Sequence, residues 1–358
     1  MVRFLFFGWL MGMILGSQAS SGWWNADSLA RSIPAAVTQS PGEFADFLTV
    51  RFPDEADRVR ALFSWITCSI IYDMNQTEAA GKYESVDEFV FFTLKNKRAV
   101  CQGYAEVFTT ICKRMGIPAL TVHGYTRNDG QLRTDIGHAW NIAKIDGRWS
   151  LFDATWGSGS LDNGRYRKSF SPFYFMTPPD NLITTHMPFD PIWQLLDYPI
   201  THDQFIDGGR KGPAFYQYAD SLDRYYNLDE IGRAEGTLRR AEATHATRKE
   251  ILRIYRKYND YVINMKCNVE ITLYNEASTT LQTAIDRYNE FQELHNRRNA
   301  DLRTVKQALG AADELVRQAL HQAFTVSPCQ GLSVQEIQQL IKYIREVESA
   351  VSIGYSSL

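Results

Sequence analysis

Between residues 54 and 115 apolar side chains recur every three or four positions, the period of a helix with one buried face. In the stretch 54–72 they are Val59, Leu62, Phe63, Ile66 and Ile70, and the acidic Asp54 and Glu55 stand where a helix dipole favours negative charge. An amphipathic core helix is expected there. A second helix should begin near Ser85, because Ser85 and Glu88 have capping-box spacing, and run through Phe89, Phe92 and Leu94. After the basic break at residues 95–98 a third starts at or near Cys101, with Val107, Phe108, Ile111 and Met115 on one face. Gly116 suits the left-handed position that closes a helix, and Pro118 blocks continuation.

The period then drops to two. Residues 120–125 read as a strand, followed by the polar turn Asn128-Asp129-Gly130. Residues 137–153 read as two strands joined by Asp146-Gly147, a pair suited to a type I′ turn, which needs positive φ at both central positions. That turn pairs Ile145 with Arg148 and, counting outward, sets Trp140 opposite Asp153 and His138 opposite Thr155. Alternate residues share a strand face, so His138 and Asp153 point the same way, as diagonal neighbours about 7–8 Å apart at Cα.

From about residue 229 charged helix formers dominate and glycine and proline thin out. Leu281, Ile285 and Tyr288 keep helical spacing, as do Leu315, Val316 and Leu320. In the last segment Ser333 and Glu336 have capping-box spacing, Leu332 and Ile337 form a hydrophobic staple, and Ile337, Leu340, Ile341, Ile344 and Val351 share a face. Three or four long helices are expected. Residues 268–275 alternate Val269, Ile271 and Leu273 with more polar neighbours, leaving strand and helix both open there.

With 38 basic and 41 acidic residues the net charge is −3, so no global field draws in nucleic acid or anionic lipid, and a nucleic-acid-binding function is excluded from the expectations. At the start, Arg3 precedes an apolar run over residues 4–15, and Ser17-Gln18-Ala19 supplies small residues where a signal peptidase cuts. A secretory leader over residues 1–19 is expected, with export to a periplasm or outside the cell and no stable membrane insertion once it is cleaved. The run is shorter than the roughly 20 residues a spanning helix needs.

Five cysteines (Cys68, Cys101, Cys112, Cys267 and Cys329) leave at least one unpaired within a monomer. Cys101 and Cys112 on one helix stand eleven steps, about 16 Å, apart and cannot be disulfide partners. No short-spaced metal signature occurs, and neither a catalytic metal nor a cofactor is expected.

Cys101 is the candidate nucleophile, because the unpaired N–H groups and dipole at a helix start stabilise a thiolate. His138 is the candidate proton shuttle and Asp153 the carboxylate that fixes its tautomer and orientation, the set that thiol acyl transfer requires. His123 and His186 compete for the imidazole role, but neither has a carboxylate at hairpin-defined register. Trp140, Trp149 and Trp156 are candidates for an acyl-binding groove, although clustered aromatics more often form core.

Three stretches, Val100-Cys101-Gln102-Gly103-Tyr104-Ala105, Gly137-His138-Ala139-Trp140-Asn141 and Trp149-Ser150-Leu151-Phe152-Asp153-Ala154-Thr155-Trp156, resemble the transglutaminase-like superfamily. So do Tyr174-Phe175-Met176, Thr185-His186-Met187-Pro188 and Trp193-Gln194-Leu195, which match in particular its bacterial, kyphoscoliosis-peptidase-like subgroup. The resemblance covers roughly residues 50–200. It implies an α+β, papain-like core, with the nucleophile on a helix packed against an antiparallel sheet that carries the histidine and aspartate, followed by an α-helical C-terminal domain. The expected organisation is leader 1–19, catalytic domain 25–206, linker 207–228 and helical domain 229–358.

The family includes cross-linking enzymes, proteases, deamidases and peptide-glycan amidases that share a thioester intermediate. Cysteine-peptidase-type hydrolysis of a peptide or protein amide, cell-wall peptide included, is therefore the leading expectation, with transglutaminase or deamidase activity behind it. The backbone N–H of Cys101 is a candidate oxyanion donor. A reading of another class makes the domain an inactive scaffold of the cell envelope whose helical part recruits a protein partner.

Overall fold

The computed structural model describes residues 23–76, 83–128, 130–162, 165–209, 212 and 214–358; the expected leader lies outside them. Two compact units emerge. The first is Met1–Asn227 with Arg239–Leu252, the second Leu228–Leu238 with Arg253–Leu358. Part of the stretch expected as linker is ordered, since Tyr218–Asn227 form a helix with Leu222 fully buried.

A five-stranded antiparallel sheet organises the first unit. Its spatial order is Phe175–Thr177, Arg148–Phe152, Gln131–Ile145, Ala119–Asn128 and His186–Pro188. The two-residue period along these strands sends alternate side chains to opposite layers. Ala143, Ile145 and Phe152 join a core with the helices Glu55–Ser69 and Cys101–Arg114, through Leu62, Phe63, Ile66, Val107, Phe108 and Ile111. Val122, Trp140, Ile142 and Leu151 join another with Leu182, Ile192, Trp193 and Leu222. Both faces of the central strands are therefore buried, and the fold is α+β as expected.

Local signals explain the element ends. Ser85 accepts the N–H of Glu88 at the start of Val86–Asn96. The helix Cys101–Arg114 closes in a Schellman motif, with Gly116 N–H bonded to Lys113, Ile117 N–H to Cys112, and Gly116 at φ +78°. Asp146 and Gly147 take φ +48° and +76°, and Ile145 faces Arg148, as the type I′ turn requires.

One register expectation is corrected. Asn141 pairs with Phe152, so the count from the turn holds to that point, but the strand stops at Phe152 and Asp153 instead caps the short helix Ala154–Ser158. Thr155 lies in that helix and is not opposite His138. The carboxylate satisfies two N–H groups of the new helix, which competes with another step of strand.

In the second unit the part of the helix Lys249–His295 from Arg253 onward is joined by the helices Leu302–Thr325 and Val334–Ser356. They share a core of Ala277, Leu281, Ala284, Leu309, Ala312, Val316, Leu340 and Ile344, in which small alanines let the backbones approach closely. The open question at residues 268–275 resolves as helix. Ile271 and Tyr274 continue toward Ala277 and Leu281 at helical spacing, while Val269, which completed the strand-like alternation, is exposed. Ser333 and Glu336 form the expected capping box, and Leu332 and Ile337 pack in one small cluster. A disulfide joins Cys267 to Cys329 within this unit, leaving Cys68, Cys101 and Cys112 as thiols.

Candidate active site

Cys101 is the first residue of its helix, following an extended Val100 whose carbonyl accepts the N–H groups of Gly103 and Tyr104. Three features fix that start. A Cβ on Gly103 would stand 2.5 Å from the Cβ of Ala99, so a glycine there lets the helix lie against the preceding segment. The Tyr104 hydroxyl donates to the carbonyl of Ile70 at 2.8 Å, tying the first turn to the end of Glu55–Ser69. On the next layer Asn141 Nδ2 donates to the carbonyl of Ala105 and to Thr109 Oγ1, both at 2.9 Å. This bond fixes the strand bearing His138 against the helix bearing Cys101, three residues along from the imidazole.

His138 pairs across the sheet with Gly124, and its side chain is only 9% exposed. Its Nε2–H donates to Asp153 Oδ2 at 2.8 Å, which leaves Nδ1 as the nitrogen for Cys101, whose thiol and the ring shift each other's titration. Trp140 stacks on the imidazole with centroids 5.9 Å apart, and Trp156 lies at the same distance in a tilted orientation. Asp153 is fully buried with both oxygens engaged: Oδ1 accepts the N–H groups of Thr155 at 2.8 Å and Trp156 at 3.0 Å. The structure thus brings Cys101, His138 and Asp153 together.

Electrostatics follow from this geometry. Burial opposes ionisation of Cys101, but the hydrogen bond and charge of His138 and a bond from the Ala139 N–H outweigh it, and the thiol pKa falls below its ordinary value. Burial alone would also lower the pKa of His138; the Asp153 charge and the contact with Cys101 raise it instead. For Asp153 burial again works against charge, yet His138 and His186 hold the carboxylate well below its usual range. The arrangement favours a thiolate–imidazolium pair backed by a carboxylate. Such a group can attack a carbonyl carbon and return the proton to a leaving amine.

Of the rival imidazoles, His123 is exposed on the neighbouring strand opposite Ala139. His186 departs from expectation, because it does have a carboxylate partner: its Nε2 lies 2.9 Å from Asp153 Oδ2. Hairpin counting could not find this contact, which links residues 33 apart through the sheet edge. The clue in the chain was the Thr185-His186-Met187-Pro188 stretch.

His138, Asp153 and His186 place three ligand-type atoms within 4.8 Å of one another. The Asp153 oxygen, however, sits at hydrogen-bond distance from both ring nitrogens, so a proton on each accounts for the geometry.

Beside His138 opens a cleft of about 450 Å³ walled by Tyr72, Trp156, Tyr166 and Tyr174, with Arg133 at its margin. Of the candidate groove tryptophans, Trp156 lines it. Trp140 is core beneath the imidazole, and Trp149 donates to Asp223 elsewhere.

Residues 43–154 match the transglutaminase-like superfamily. The kyphoscoliosis peptidase of Mus musculus is 32% identical over 196 residues, which cover 52% of this chain and 29% of that protein. That of Homo sapiens is 32% identical over 171 residues, covering 45% and 25% respectively. The chain therefore spans between 25% and 29% of the length of these relatives. A solved TGase structure, 19% identical over 42% of this chain and 36% of its own, superposes with a TM-score of 0.25, too slight a likeness to carry an argument.

Proposed function

We propose, from the premise that this chain carries a transglutaminase-like superfamily domain over residues 43–154, that it is a thiol enzyme cleaving a peptide or protein amide with Cys101, His138 and Asp153 as its triad. The observation that carries this reading is the 2.8 Å contact between Asp153 Oδ2 and Nε2 of His138, beside a Cys101 thiol at a helix N-terminus whose pKa His138 lowers. The name of the kyphoscoliosis peptidases, to which the chain is similar, supports the same class.

In the first step the Cys101 thiolate attacks the carbonyl carbon, with the Cys101 backbone N–H, at a helix start, as the donor to the developing oxyanion. The C–N bond breaks as His138 Nδ1–H gives its proton to the amine, leaving a thioester. His138 then takes a proton from water, whose oxygen attacks the thioester and releases the acid and the thiolate. Asp153 stays ionised throughout and stabilises the imidazolium. An amine in place of water would give transamidation through the same thioester, and a glutamine side chain as acyl donor would give ammonia and glutamate.

Export belongs to the reading too, supported by the leader-like pattern at residues 1–19 and by the Cys267–Cys329 disulfide, a bond favoured in oxidising compartments. The test is to incubate the full chain with an unfolded protein and a fluorescent primary amine. New amino termini would mark peptide hydrolysis, ammonia without bound fluorophore deamidation, and ammonia with bound fluorophore cross-linking chemistry. All should disappear with Cys101→Ala; products that persist in that variant would refute the proposal.

A further inference from the structure

His186 sits on the edge strand His186–Pro188, paired with Thr126, and its side chain has no exposure. Both ring nitrogens are committed. Nε2 stands 2.9 Å from Asp153 Oδ2, and Nδ1 stands 2.8 Å from Thr185 Oγ1. A carboxylate can only accept, so Nε2 carries the proton; in the neutral ring Nδ1 accepts from the Thr185 hydroxyl, whose other acceptor is the Leu182 carbonyl at 3.3 Å. The ring is held between Trp156, edge-on at 4.5 Å, and Trp140, edge-on at 5.3 Å. Asp153 consequently accepts four N–H groups, two on each oxygen, and Oδ2 is shared between two imidazoles.

We propose that His186 is a positioning residue which stays neutral and, by donating Nε2–H to Asp153, sets how much of the carboxylate's charge reaches His138. The inference rests on the thiol-enzyme reading above. A carboxylate that spends one lone pair on a second donor binds the His138 imidazolium less tightly than one devoted to it. The imidazolium then offers more of its charge to Cys101. His186 itself avoids charging because burial, the largest influence on it, together with the nearby His138 outweighs the pull of Asp153.

The remaining titratable groups facing this cluster do not compete. Burial holds Tyr72, which faces Cys101 and Asp153, at about 12, and Tyr174, which faces Asp153, at about 12 also. His123 faces the cluster only through His138.

The experiment follows the alkylation of Cys101 by iodoacetamide from pH 4 to 10 in the reduced full chain, read site by site by mass spectrometry. Wild type should show an inflection well below the ordinary thiol value of about 8.5. His186→Met keeps the bulk and removes the donor, and should move that inflection upward by about one unit. His186→Gln, whose Nε2 can still donate, should return it to within about 0.3 unit, since the hydrogen bond and not the ring carries the effect. Equal shifts in both variants, or none in His186→Met, would overturn the proposal. A wild type without a low inflection would instead bring down the thiol-enzyme reading itself.

Should His186→Met fail to fold, ¹⁵N chemical shifts of the wild-type ring decide. The neutral Nε2–H form should persist from pH 5 to 9, and a cationic ring or the opposite tautomer at neutral pH would refute the assignment.

Discussion

Asp153 concentrates most of the site's chemistry in one side chain. It has no solvent contact, it accepts four N–H groups, and its ionised form survives because those donors more than replace the lost water. The folded-state pKa lies below the unfolded value of about 4, so its ionisation contributes stability that is present above that pH and lost as pH falls below it. Urea unfolding of wild type should therefore weaken steeply between about pH 5 and pH 2. Asp153→Asn should show a shallower acid dependence and, at pH 7, a loss of about 3 kcal/mol from breaking a buried charged network. Parallel acid profiles would mean that the carboxylate is not held ionised. Cys101, His138 and Asp153 were legible in the chain because each stands beside a local signal: a helix start, a strand, a hairpin. For His186 the chain offered only the family-like stretch around it and no local geometric signal, since its partner is 33 residues away and two strands of the sheet lie between them.

At the scale of elements, the site is a helix start pinned against a strand, and Gly103 marks how tight that fit is. Gly103→Ala would bring its methyl to 2.5 Å from Ala99 Cβ and 3.1 Å from Thr93 Oγ1, too close for either to stay in place. We expect a loss of about 1–3 kcal/mol, read by urea unfolding, together with slower alkylation of Cys101 as the helix start shifts. Full reactivity in a destabilised variant would show that the thiol's setting does not depend on this packing. Asn141 works from the other side, and Asn141→Ala should detach the His138 strand from the Ala105 carbonyl and lower Cys101 reactivity while leaving the hairpin intact. In the second unit Ser333→Ala should cost about 1 kcal/mol by removing the cap that Ser333 and Glu336 share. The capping boxes, the Schellman glycine and the type I′ turn were all readable, because each is a contract among neighbours within six residues. The end of the strand at Phe152 was not, because stopping there depends on what Asp153 finds to bind after the chain turns.

Across the whole molecule, the Cys267–Cys329 disulfide closes a loop of sequence separation 62 entirely within the second unit. Chain-entropy reasoning assigns such a closure about 4 kcal/mol. The pair Cys267→Ser with Cys329→Ser should lower the unfolding free energy of the helical unit by that order and leave Cys101 alkylation unchanged; a loss of reactivity would tie the thiol to the helical unit. Odd cysteine number showed only that one thiol stays free, because a bridge between residues 62 apart depends on how two helices and a loop pack. The amino-acid sequence by itself determined the helices that open near residues 54, 85 and 101, the hairpin turn, the caps and three residues suited to thiol chemistry, since periodicity and capping are short-range properties of the chain. Only the tertiary structure decided the disulfide partners, the helical state of residues 268–275, the turn at Asp153 and the second imidazole on its carboxylate. Each of these is settled by burial and by the pairing of buried polar groups, and which groups are buried together is known only once distant segments have met.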